Sequence, residues 1–138
     1  VYSYHLNKDV FKCNDVKSLN VSSMNLDESQ INAQLLFLSK LFILRMCFIQ
    51  WPDLLDISKY TDIFRKFNIK SFGFIITRQT FISSHRSPLP YYITKYSAHN
   101  LVELSLNEEG LVIIHKAAND SILLNNLEEL SIYYIADI

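Results

Sequence analysis

Residues Phe42 to Ile49 form a short apolar run rich in Ile, Leu and Phe, and Trp51-Pro52-Asp53 closes it with a residue that cannot continue a sheet ladder. Directly behind it, Leu54, Ile57, Thr61, Phe64 and Phe67 recur at three- and four-residue spacing. Pro52 and Asp53 are placed to open a helix there, and Asn68 to end it. A strand followed at once by a helix commits the chain to packing sheet against helix around one core.

The remaining segments extend this pattern. Ile69 to Ser84, rich in Ile, Phe and Thr, predicts a long second strand with a bend or close backbone approach at Gly73. His85 to Asn100 holds two of the three prolines and three tyrosines, which predicts a long projecting loop. Leu101–Leu106 and Leu111–Ile114 bracket Asn107-Glu108-Glu109-Gly110, either a turn or a kink within an extended third strand. Asn119-Asp120-Ser121 offers a cap for a helix striped by Ile122, Leu123, Leu127 and Leu130, and Ser131–Ile138 alternates as a last strand.

The resulting order, β-α-β-β-α-β, predicts an α+β fold of the ferredoxin-like split βαβ type, one antiparallel sheet with two helices on one face. Residues 1 to 26 show no periodicity and read as an extension without its own core. Asp27-Glu28 followed by Ile31, Leu35 and Leu38 predicts a short helix whose first turn carries the acids that its dipole favours. The expected division is therefore residues 1–40, an N-terminal extension with a short helix, and residues 41–138, a domain from which the Ile69 to Leu106 hairpin projects.

Charge is distributed unevenly. The net charge is −1, yet no Asp or Glu occurs from Phe64 to Val102, where Arg65, Lys66, Lys70, Arg78, Arg86 and Lys95 supply six positive charges. The rest of the chain holds seven Lys or Arg against fourteen acids. Such segregation predicts one face toward an anionic partner and another toward water or protein.

Several chemistries find no support. Cys13 and Cys47 lie far apart, outside any CxxC or Cys/His cluster, so neither a metal nor a redox role is expected. No phosphate-cradling glycine loop, nucleophile–base pair or cofactor motif occurs, so neither catalysis nor a small-molecule substrate is expected. The apolar stretch Leu35–Ile49 is interrupted by Ser39, Lys40 and Arg45, where a membrane span wants about 20 nearly uncharged residues.

From about Leu41 to Ile138 the chain resembles the small-subunit ribosomal protein ten family. The resemblance rests on Gly73-Phe74-Ile75-Ile76-Thr77-Arg78, Phe81 and Arg86-Ser87-Pro88 in that order, then Lys95-Tyr96-Ser97 before Leu101-Val102-Glu103. The loop after Pro88 is longer than the family's, and Asn107-Glu108-Glu109-Gly110 stands where the family has a basic stretch. The acidic remainder and the extension resemble the divergent mitochondrial type. The resemblance implies a structural constituent of the small-subunit head that binds rRNA and neighbouring head proteins. It also implies a location in the mitochondrial matrix, with a plastid-type organelle as second choice.

Within that expectation, Arg78 and Arg86 offer planar forks for phosphate, and Lys70 and Lys95 add attraction. Thr77, Ser84 and Ser87 can donate to phosphate or a 2′-hydroxyl, or cap their own turns. His85 and His99 can donate to RNA, and Ser97 joins the site through the resemblance alone. Tyr91, Tyr92 and Tyr96 either stack on splayed bases or pack on protein. The alternatives are a free-standing RNA-binding or antitermination factor and, from the fold, a small acylphosphatase-like hydrolase, which Asp53 disfavours by repelling an anionic substrate.

Overall fold

A computed structural model of the chain describes residues 15–75, 87–108 and 110–134. Strands and helices alternate: β1 (Ser18–Asn25), α1 (Ile31–Ser39), β2 (Ile43–Gln50), a 3-10 turn (Ile57–Tyr60) running into α2 (Thr61–Phe64), then β3 (Ser71–Phe74). They continue as α3 (Leu89–Ser97), β4 (Glu103–Asn107), α4 (Leu111–Asn119) and β5 (Glu129–Tyr133). The strands form one sheet in the order β1-β2-β3-β4-β5, parallel at every step. Helix and strand thus share one fold as expected, but the ferredoxin-like arrangement does not form among the described residues. That arrangement needs antiparallel neighbours taken out of sequence order, whereas each strand here lies beside its predecessor and points the same way. Crossovers of one hand that always step in one direction lay their helices on one face of the sheet.

The registers expose a repeated unit. Ser18, Ile43, Ser71, Glu103 and Glu129 share one row, so the unit recurs every 25 to 32 residues. Two residues before that row stand Val16, Leu41, Ile69, Leu101 and Leu127. One residue after it stand Leu19, Leu44, Phe72, Leu104 and Leu130, and three after it Val21, Met46, Phe74, Leu106 and Ile132. Each unit therefore reads apolar-x-x-apolar-x-apolar. The same backbone clasp precedes each new strand. The carbonyl of Lys17 accepts the amides of Phe42 and Ile43, that of Phe42 those of Lys70 and Ser71, that of Lys70 those of Val102 and Glu103, and that of Val102 those of Glu128 and Glu129. Beside the clasp, Asn100 Nδ2 donates to the Asn68 carbonyl at 2.8 Å, and Asn126 Nδ2 donates to the carbonyl of His99.

Alternation divides the sheet into two faces. Leu44, Met46, Phe72, Phe74, Leu104 and Leu106 are buried under the helix layer, in one core with Leu35 and Leu38 of α1, Phe64 of α2, Leu89 and Ile93 of α3 and Ile113 of α4. The helices pack in chain order, α1 on α2, α2 on α3 and α3 on α4. Phe64 packs against Phe67, Tyr92 and Tyr96, stacking on the last, which ties the middle units together. Among the described residues, no helix covers the polar face of the sheet, its open face.

Five local expectations change. Residues 18–25 are a strand, because pairing with β2 and burial of Val21 and Met24 compensate for a Ser/Asn-rich sequence that lacks apolar alternation. β1 and α1 belong to the same sheet and core as the residues beyond position 41. The expected loop of residues 85–100 holds α3 instead. Pro88 and Pro90 stand at its start, where a missing amide costs nothing, and Ser87 Oγ accepts the Leu89 amide. Leu111–Asn119 is helix rather than strand: Asn107 Oδ1 accepts the Gly110 amide and turns the chain out of β4. The helix expected over Asp120–Leu130 is replaced by turns, with Ser121 in the left-handed region at φ 60° and Ile122 bonded back to Ala117, before β5 begins at Glu129. The first strand at Phe42–Ile49 and the Ile31–Leu38 helix lie where the sequence places them, but the helix begins at Ile31 and its first turn carries no acid, Asp27 and Glu28 standing before it.

Candidate interaction surface

Because β-residues alternate, each strand lends its polar positions to the open face in register rows. One row runs Ser18, Ile43, Ser71, Glu103, Glu129 across the five strands, and the next runs Asn20, Arg45, Gly73, Ser105, Ser131. Cys47, Ile75 and Tyr133 follow beyond them toward the strand ends. Asn20, Arg45, Cys47, Gly73, Ile75, Ser105 and Tyr133, with Met46, line a depression of about 250 Å3.

Gly73 opens that depression. A side-chain carbon built on it meets Arg45 Cγ at 3.2 Å, so the arginine stem lies across the gap that the missing side chain leaves. Gly73 does not have a positive φ, and its role is close approach rather than backbone freedom. Arg45 is exposed and has no ion pair among the described residues. On the other half of the face the charge is reversed: Glu103 accepts Ser71 Oγ at 3.3 Å, and Glu129 is exposed one strand further on. The open face thus carries a cation over β2 and two carboxylates over β4 and β5. Burial raises the Cys47 thiol above its ordinary range, which keeps it protonated rather than nucleophilic.

Among the described residues, the sequence-predicted RNA contacts are not gathered in one place. Thr77, Arg78, Ser84, His85 and Arg86 lie outside the described residues. Lys70 is at the start of β3, its Nζ 5.5 Å from the Phe42 ring centre, which Lys17 approaches at 5.4 Å from the preceding unit. Ser87 caps α3. Lys95 lies on the outer side of α3 over Tyr92 and Tyr96. Ser97 is fully buried, and its Oγ accepts the Ile69 amide, so it cannot reach RNA. His99 is exposed. Tyr91 is buried, donates to Asp120 and lies under Lys116 Nζ at 4.3 Å, while Tyr92 and Tyr96 pack on Phe64. These tyrosines hold helices together rather than offering free stacking faces.

Apart from Gly73, where the sequence suggests a bend or close backbone approach, the open-face residues went unread because Arg45 registers there only as a break in an apolar run. The signal that finds them is self-similarity: Asn68-Ile69-Lys70-Ser71-Phe72, Asn100-Leu101-Val102-Glu103-Leu104 and Asn126-Leu127-Glu128-Glu129-Leu130 superpose at sight, and the outward positions follow from the repeat. Among the described residues, no group of three or more His, Cys, Asp or Glu is placed to hold a metal ion, and no helix is long and apolar enough to cross a membrane. No protein-family model, curated protein or solved structure matches the chain.

Proposed function

We propose that the chain is a recognition module of the leucine-rich-repeat type, a solenoid whose open sheet face holds an extended segment of a partner protein. The five apolar-x-x-apolar-x-apolar units with one helix or turn per crossover support the architecture. The observation that carries the function is the row Asn20, Arg45, Gly73, Ser105, in which the stem of Arg45 lies across the gap at Gly73 and its guanidinium has no ion pair among the described residues. A guanidinium fork grips a carboxylate in bidentate fashion, and the carboxylates of Glu103 and Glu129 receive a cation. The segment recognised therefore has an acidic residue over β2 and a basic one toward β5.

Panning a random peptide library against the chain tests this. The wild type enriches peptides with that charge order, and Arg45→Glu reverses the preference at the β2 end. Identical enrichment by the wild type, Arg45→Glu and Gly73→Val sinks the reading.

A second reading, an rRNA-contacting component of a small ribosomal subunit, is favoured by Lys17 and Lys70 flanking the exposed Phe42 ring, a pairing of cations with an aromatic that suits single-stranded RNA. Cosedimentation with ribosomal fractions that salt abolishes, and that Lys70→Glu weakens, supports it. A chain absent from those fractions at low salt removes it.

A further inference from the structure

The two ends of the sheet are unlike. The inward positions of β4, Leu104 and Leu106, are 0% exposed, whereas their counterparts on β5, Leu130 and Ile132, are 48% and 44% exposed. At the other end, the counterparts on β1 are Val21, which is buried, and Leu19, which is partly buried against the core. Among the described residues β5 pairs with β4 alone, and Tyr133 at its end and Tyr134 just beyond it are exposed as well. An apolar edge of this kind is a template for a further strand.

We propose that this edge pairs with the β5 edge of a second copy of the chain, antiparallel and two-fold symmetric about Ser131. Three features of the strand fit that occupant. The Glu129 amide bonds to Val102, so by alternation Glu129, Ser131 and Tyr133 turn their backbone groups toward β4, and Leu130 and Ile132 turn theirs to the free edge. In a pairing centred on Ser131, Leu130 of each copy faces Ile132 of the other. Among the described residues the amides and carbonyls of these two have no strand partner, and in the proposed pairing each couple exchanges two hydrogen bonds. Their side chains lie on the helix side, so the exposed parts of all of them are covered together.

Charge decides the register. Centring on Ser131 sets Glu129 opposite Tyr133 and Glu128 opposite Tyr134, so each carboxylate meets a phenol. Centring on Glu129 would set that residue against its own copy, a repulsion between like charges directly opposite. The symmetric contact is isologous and closed, so it stops at a dimer. The axis is perpendicular to the sheet, which keeps both helix layers on one side and joins the two open faces.

Sedimentation of the full chain over a range of concentrations reads the dimer directly. Ile132→Lys, at a half-exposed position that a monomer tolerates, weakens the dimer by more than about tenfold with an unchanged circular-dichroism spectrum. With Cys13 and Cys47 replaced by Ser, Ser131→Cys closes a disulfide across the axis on mild oxidation, since opposed residues in a non-hydrogen-bonded antiparallel pair are about 4.5 Å apart between Cα atoms. Glu129→Cys does not, because it faces position 133. A wild type that stays monomeric overturns the proposal, whether β5 is then bare, covered by another protein or followed by a further strand of a longer polypeptide. Crosslinking through Glu129→Cys as readily as through Ser131→Cys overturns it too.

Discussion

Ser97 Oγ accepts the amide hydrogen of Ile69 at 3.2 Å, in the interior, across 28 residues of sequence. The bond fastens the end of α3 to the start of the unit that contains β3. Ser97→Ala leaves that buried amide without its acceptor, and an orphaned buried donor costs about 1–3 kcal/mol. The expected result is a lower midpoint in urea unfolding at unchanged slope, while Ser97→Thr, which keeps the hydroxyl, restores part of the loss. An unaltered midpoint for the alanine variant contradicts the assignment.

Leu54 lies in the left-handed region at φ 63°, and its side chain is fully exposed. A side-chain-bearing residue held there costs about 1 kcal/mol, and no burial of this leucine offsets it. Leu54→Asn is expected to raise the thermal midpoint, with Leu54→Gly close behind, and calorimetry reads both. If Leu54→Val is as stable as Leu54→Asn, the backbone argument fails, since a β-branched residue tolerates this region least.

Stability and recognition separate at Gly73. Its backbone admits a side chain, and the contact at 3.2 Å is with the stem of an exposed arginine that can swing away. Gly73→Ala is therefore expected to keep or raise stability by up to about 1 kcal/mol through the unfolded chain. The same change fills the depression and weakens peptide binding, as does Arg45→Ala. Titration of a panned peptide against both variants, beside their unfolding curves, shows the split.

Tyr91 contributes stability that depends on pH. Burial and the neighbouring Asp120 carboxylate push its phenol well above the ordinary tyrosine range. Its folded pKa thus exceeds its unfolded one. The contribution is complete below the unfolded value, about 10, and is lost progressively as pH rises above it. Wild-type stability should fall more steeply in that alkaline range than that of Tyr91→Phe. Parallel curves for the two proteins would exclude the effect.

The sequence reveals those elements whose own residues dictate them. Ile31, Leu35 and Leu38 announce α1, and the apolar run from Phe42 announces β2, because both bury large side chains at regular spacing. β1 is hidden because Ser18, Asn20 and Asn25 are poor strand formers that hold their place through the neighbouring ladder. α3 is hidden because prolines serve equally to break a chain and to start a helix, and the difference lies in what Leu89 and Ile93 pack against. Strand direction is also invisible locally. A parallel and an antiparallel sheet ask the same of Leu104 and Leu106, and only the recurrence of the unit along the chain separates them. The open face went unseen for that reason, since Arg45 and Gly73 acquire meaning only as neighbours across strands.

The shared carbonyls of Lys17, Phe42, Lys70 and Val102 fix where each strand begins, regardless of how far the chain has travelled since the previous one. Length is thereby uncoupled from alignment. The crossover between β3 and β4 is the longest of the set, yet Gly73 and Ser105 still stand side by side. Insertions and grafted sequences at the crossovers can accumulate behind the sheet while the lettering on its front stays in line.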